Sequence, residues 1–191
     1  VNKGRLEAFS DGVIAIIITI MVLNLQPPSG SDAASLLPFL PRLAGYLLSF
    51  VFMGIYWANH HHLLQAAQKV NGAILWANLH LLFWLSLTPL VTAWMAQAGF
   101  TSLPTACYGV VLLLSGVAYY ILVRALIAHH GRGSTLAKAI GDDFKGKISV
   151  VFYAAAIPLA YVYPGIALGI YILVAVMWLV PDRRIERNFR D

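Results

Sequence analysis

Along this chain apolar residues do not alternate with polar ones. They come in long runs of Leu, Ile, Val, Ala and aromatics, separated by short clusters of Pro, Gly, Asn and charged residues. Strict alternation would mark the strands of a membrane barrel and is absent. A helix crosses the hydrocarbon core of a bilayer with roughly 17–25 mostly apolar residues. Six runs meet that length, near 6–26, 37–63, 71–96, 104–128, 147–163 and 165–181. The pattern predicts an all-α membrane protein whose residues 1–191 form a single six-span domain. The breaks have chemical causes. Pro27, Pro28, Ser29 and Gly30 end the first span, because proline cannot continue the hydrogen-bond ladder. Lys69, Asn71 and Gly72 divide the second from the third, and Gln97 to Pro104 is a short turn. His129 to Lys147 is the longest loop, holding Gly131, Arg132, Gly133, Gly141, Asp142 and Asp143. Tyr163, Pro164 and Gly165 form a tight turn between the last two spans, with Pro158 marking a kink or a boundary.

Composition excludes several classes. The chain is 60% hydrophobic and 11% charged, against about 45–50% and about 25% for soluble domains. An ordinary soluble enzyme and a disordered chain are both unlike this balance. Cys107 is the sole cysteine, so a disulfide-stapled fold is excluded. The first span is expected to stay in the mature chain: it is long, carries Asp11, and lacks a small-residue cleavage site. Positive residues set topology. With six spans, Lys3, Arg5, Lys69, Arg124, Arg132, Lys138, Lys145, Lys147, Arg183, Arg184, Arg187 and Arg190 share one side, and only Arg42 lies on the other. Lys and Arg concentrate in cytoplasmic loops, which puts both termini in the cytoplasm. The net charge of +5 then needs no nucleic-acid partner.

The first span is the chemically unusual one. Arg5, Glu7 and Asp11 crowd its start. An ionisable group inside a span faces a partner or water; the plainer reading is a charge pair at headgroup level, helped by the helix dipole. Further along, Gly12, Ile16, Thr19 and Leu23 fall on one stripe, with Ile20 beside it. Such a stripe serves either as a packing seam, with Thr19 bonded to its own backbone, or as a pore wall. Repeated by symmetry, each residue of a pore wall becomes a ring, and rings of isoleucine and leucine gate by dewetting. No metal site is predicted: His60, His61 and His62 point about 100° apart on a helix and cannot share one ion, and His80, His129 and His130 add no carboxylate or i, i+4 pair. His129 and His130 are expected in the loop at the membrane surface. No nucleophile elbow, phosphate loop or zinc-protease motif points to an enzyme. Asp142 and Asp143 fall in a basic loop as solvated charges, and Cys107 reads as a small packing residue. A secondary transporter of a small solute, proton-coupled or not, is the alternative to a channel, with Pro89 and Pro158 as possible helix breaks.

Arg5-x-x-x-Phe9-Ser10-Asp11, continued by Gly12-Val13-Ile14-Ala15-Ile16-Ile17-Ile18-Thr19-Ile20-Met21-Val22-Leu23, resembles the signature of the transmembrane protein 175 family, the endosomal and lysosomal potassium channels and their prokaryotic relatives. The resemblance extends to Tyr56-Trp57-Ala58-Asn59-His60-His61-His62-Leu63, to Asn78 and to Phe83-Trp84-Leu85-Ser86-Leu87-Thr88-Pro89. It covers the first three spans well and the later ones mainly in number and hydrophobicity. It implies a homotetramer in the cell membrane of a prokaryote, four chains around a central pore lined by the first helix. It implies passive flow of potassium and other monovalent cations, protons among them, and no cofactor. By the same resemblance Ile16 forms the apolar filter or gate, Ile20 and Leu23 constrict further, and Thr19 takes the position linked to potassium preference. Arg5, Phe9, Ser10 and Asp11 match a network anchoring the first helix to the next two, with Trp57, His61 and Asn78 as its partners. The run of three histidines and Gly12 after the acid depart from the family pattern, and the run leaves open which of His60, His61 and His62 joins the network. The carbonyl filter Thr-Val-Gly-Tyr-Gly is absent, so selectivity is expected to be modest.

Overall fold

In the computed structural model the described residues are 2–131, 133–134, 137 and 144–179. The basic residues at 132, 138 and 183–190, Gly141, Asp142, Asp143 and the end of the sixth span lie outside them.

The described chain is helical. Helix α1 runs Lys3–Leu23, α2 Leu40–Ala66, α3 Gly72–Ser86, α4 Thr88–Gln97, α5 Ser102–His130, α6 Phe144–Val162 and α7 Pro164–Leu179, with a 3-10 turn at Ala33–Leu36 before α2. Five segments are long and apolar enough to cross a membrane: α1, α2, α3–α4 together over Gly72–Gln97, α5 and α6. Within the described residues α7 is a shorter apolar helix, about 24 Å long for its 16 residues at 1.5 Å rise.

Several boundaries differ from the sequence expectation. Asn2 starts α1 three residues earlier than predicted, its Oδ1 accepting from the Arg5 N–H at 3.3 Å, an N-cap that hydropathy does not register. The third span is two helices. Pro89 lacks the N–H that would bond one turn back; α3 ends on Ser86, whose Oγ donates to the Phe83 carbonyl at 2.7 Å, and α4 restarts after Leu87 alone. His129 and His130 are not loop residues but the last turn of α5. There the His130 Nε2 accepts from the Gln68 and Lys69 backbone N–H groups at 3.1 and 3.2 Å, and its Nδ1 lies 2.9 Å from the Leu126 carbonyl. Lys145 and Lys147 likewise belong to the first turn of α6 rather than to the loop. Pro158 lies inside α6 without ending it.

The apolar core has two parts. One joins α1, α2, α3 and the second half of α5 through Leu6, Ile14, Ile17, Leu64, Ile74, Leu81, Leu85, Leu122 and Leu126. The other joins α2, α4, the first half of α5, α6 and α7 through Phe52, Met95, Tyr108, Leu112, Tyr153 and Tyr171. Ala156, Ala160 and Ala167, all fully buried, let α6 and α7 approach closely, as small residues do where lipid offers no hydrophobic drive. Gly109 serves the same end on α5: a Cβ there would run into the Tyr171 hydroxyl, which donates to the Thr105 carbonyl at 3.1 Å.

Candidate functional site

Helix α1 has two unlike faces. Leu6, Ser10, Ile14, Ile17 and Met21 are buried, at spacings of four, four, three and four that keep them on one side. Ser10 makes the polar contact of that face. Its Oγ donates to the Leu6 carbonyl at 2.8 Å and accepts from Asn78 Nδ2 on α3 at 2.9 Å. The Asn78 Oδ1 is 2.6 Å from His60 Nε2 on α2. With the amide nitrogen committed to Ser10, Oδ1 is the acceptor, so His60 donates from Nε2. All three residues are no more than 1% exposed. A satisfied buried polar chain of this kind holds helices in one register, because shifting any of them strands a polar group in an apolar site.

A second contact lies nearer the surface. Trp57 Nε1 donates to Asp11 Oδ1 at 3.1 Å, and the Trp57 indole stacks on the His61 ring at 5.9 Å and 21°. Of the residues expected in one network, the structure therefore joins Ser10 to Asn78, and Asp11 to Trp57 with His61 against it. Arg5 and Phe9 lie on the exposed side of α1, and among the described residues the Arg5 guanidinium has no ion-pair partner. The ion pair of α1 is instead Lys3 with Glu7, at 3.6 Å, an exposed contact of little energetic weight. Sequence reasoning named His61 and left open which of the three histidines joins the network; the structure gives the place beside Asn78 to His60. Among three adjacent histidines it alone is buried, and its signal was the i, i+4 relation to Tyr56 and Leu64 on the core side of α2.

The opposite face of α1 carries Gly12, Ile16, Thr19, Ile20 and Leu23, all exposed. Ile16 is 58%, Ile20 42% and Leu23 79% exposed. Thr19 Oγ1 donates to the Ile16 carbonyl at 2.9 Å. That bond consumes the hydroxyl proton, leaving its lone pairs for another group. An open groove of about 430 Å³ runs between Val13, Ile16, Ile17 and Ile20 on this helix and Ser86, Pro89 and Leu90 at the α3–α4 break. Among the described residues no three His, Cys, Asp or Glu side chains gather as a metal-ligand set.

These features define an all-helical membrane protein with a first helix anchored by polar bonds on one side and bare and apolar on the other. The comparisons with known proteins agree. The family profile described as endosomal/lysosomal potassium channel TMEM175 matches residues 5–89. A potassium channel of Chryseobacterium sp. (strain P1-3) is 55% identical over 190 residues, covering 100% of this chain and 99% of that one. The endosomal/lysosomal proton channel TMEM175 of Homo sapiens is 38% identical over 85 residues, 38% of this chain and 17% of that one. Among solved structures, a lysosomal potassium-selective channel TMEM175 homolog from Chamaesiphon minutus superposes with a TM-score of 0.81 at 25% identity, over 93% of this chain and 96% of that one. The chain belongs to the TMEM175 family, a family of ion channels rather than enzymes, and is a membrane protein.

Proposed function

We propose that this protein is the subunit of a potassium-permeable cation channel in the prokaryotic cell membrane. Four copies surround a central pore, each with both termini in the cytoplasm and with α1 as its pore-lining helix. Ile16 forms the narrowest apolar ring, with Ile20 and Leu23 continuing the constriction toward the far end. Thr19 sits between them and turns its hydroxyl lone pairs to a partly dehydrated cation. Potassium preference over sodium is modest, because flexible side chains rather than a rigid cage of carbonyls do the selecting. Ser10, Asp11, Trp57, His60, His61 and Asn78 hold α1 against α2 and α3, and Arg5 and Phe9, exposed on the single chain, face another copy at the cytoplasmic end. Protons are a further permeant ion to test, since vertebrate relatives carry the name proton channel.

The observation that carries this reading is the outward stripe of Gly12, Ile16, Thr19, Ile20 and Leu23 on a helix whose other side is pinned by Ser10. The test is reconstitution in liposomes and planar bilayers. Single-channel currents are expected, with a reversal potential that follows the potassium gradient; a saturable, stoichiometric flux would identify a carrier instead. In a Cys107→Ser background, Ile16→Cys and Leu23→Cys are expected to lose most of their current to a charged water-soluble thiol reagent, while Ile14→Cys stays unaffected. Unmodified currents in both outward variants would place the stripe against lipid and overturn the proposal.

A further inference from the structure

A half-open pocket of about 270 Å³ lies within the single protomer, between α2, α5, α6 and Trp178 of α7, and away from the outward face of α1. Phe52 and Ile55 of α2, Gly116 of α5 and Val150 of α6 supply apolar walls. Four tyrosines line it, together with Asn59, Lys147 and Ser149. Tyr119 donates to the Asn59 carbonyl and Tyr120 is exposed. The hydroxyls of Tyr56 and Tyr153 have no hydrogen-bond partner among the described residues, although Tyr153 is only 3% exposed. The side-chain polar atoms sealed off without a partner among the described residues are Thr105 Oγ1 and Ser115 Oγ, so both phenol oxygens border open space, and for Tyr153 that space is the cavity. Tyr56 Oη stands 3.8 Å from where a Cβ on Gly116 would sit, at the wall facing its own helix.

An enclosed apolar cavity of about 150 Å³ takes up benzene; this pocket is larger and half-open, with polar Asn59, Lys147 and Ser149 among otherwise mostly apolar walls. Those walls favour an apolar body over water in the space between them. A buried hydroxyl left unpaired is a standing penalty that a ligand acceptor removes. We infer that this cavity binds a membrane-dissolved amphiphile with a compact apolar body and one hydrogen-bond-accepting oxygen, an alcohol or a carbonyl. The body packs on Phe52, Ile55 and Val150, and the oxygen accepts from Tyr56 and Tyr153. The site has a route to the conduction helix that the fold already supplies. Tyr56 adjoins Trp57, which holds Asp11, and lies one turn from His60, which holds Asn78. The inference does not depend on how the subunits conduct.

The experiment is photolabelling of the full chain in lipid vesicles with 3-azioctanol, a diazirine-bearing alcohol, read by peptide mass spectrometry. Saturable adducts are expected within 52–56, 116–120 and 150–153, displaced by excess octanol. Gly116→Leu, which fills the cavity, is expected to reduce those adducts at least five-fold. Should that variant not fold, Val150→Phe fills the same space from the opposite wall. The double variant Tyr56→Phe/Tyr153→Phe is expected to raise the half-saturating concentration several-fold. Non-saturable adducts, or adducts unmoved by the filling variants, would show partition into the surrounding lipid and overturn the site. An unchanged half-saturation in the double variant would overturn the role given to the phenols.

Discussion

At the scale of single residues, Asn78 is where α1, α2 and α3 meet, since it spends one end of its amide on Ser10 and the other on His60. Asn78→Leu leaves the His60 N–H buried and unpaired, at about 1–3 kcal/mol, while Ser10 keeps its bond to the Leu6 carbonyl. The expected result is a clear fall in the melting temperature in detergent, much larger than for Trp57→Phe, which removes one exposed bond to Asp11. Thr19→Val tests a different property. The Thr19 bond to Ile16 is local to one turn, so the melting curve should hardly move, while the ratio of potassium to sodium permeability should fall in reversal-potential measurements. Asn78 was legible in the sequence as a polar residue in an apolar run. His60 was not, because adjacent positions on a helix differ by about 100° and only the packing of α2 decides which of three histidines turns inward.

Among the helices, small residues and prolines decide how closely segments meet. Gly109 gives Tyr171 its place against α5. Gly109→Ala is expected to destabilise by about 1–3 kcal/mol, the usual range for overpacking. Combining it with Tyr171→Phe, which removes the clashing hydroxyl, should recover part of the loss. A thermal double-mutant cycle measures that coupling, and strict additivity would rule the contact out as its cause. The prolines differ in outcome for a reason that sequence does not display. Pro89 falls where Leu87 leaves the helical ladder, and α3 gives way to α4. Pro158 is carried within α6, in a hairpin where Ala156 and Ala160 pack tightly. Helix ends moved by about one turn from the hydropathy boundaries because caps such as Asn2 are polar and lie beyond the apolar run.

For the molecule as a whole, the two core clusters share α5, whose halves serve different neighbours. One cluster seats α1; the other builds the α6–α7 hairpin. Large exposed apolar side chains occur on every helix; on α1, α3 and α4 they include Ile16, Leu23, Trp76, Phe83 and Leu90, of which Ile16 and Leu90 line the groove at the α3–α4 break. In the proposed assembly these are the surfaces that meet other copies. Native mass measurement in mild detergent is expected to give four chains, and Leu90→Glu, a charge on that outward surface, should shift the population toward single chains without lowering helix content. A stable monomer of the unaltered protein would sink the assembly.

The sequence by itself determined that this is a helical membrane protein, roughly where each span lies, that α1 carries the unusual polar residues, and to which family it belongs. The tertiary structure alone decided which side of α1 is inward, which histidine meets Asn78, and that Tyr56 and Tyr153 border a pocket between α2, α5 and α6. The physical reason is that hydrophobic residues in a bilayer are equally at ease against lipid or protein, so hydropathy reports depth but not direction. Direction comes from hydrogen bonds between helices, such as Asn78 to Ser10, and those exist only once the helices have packed.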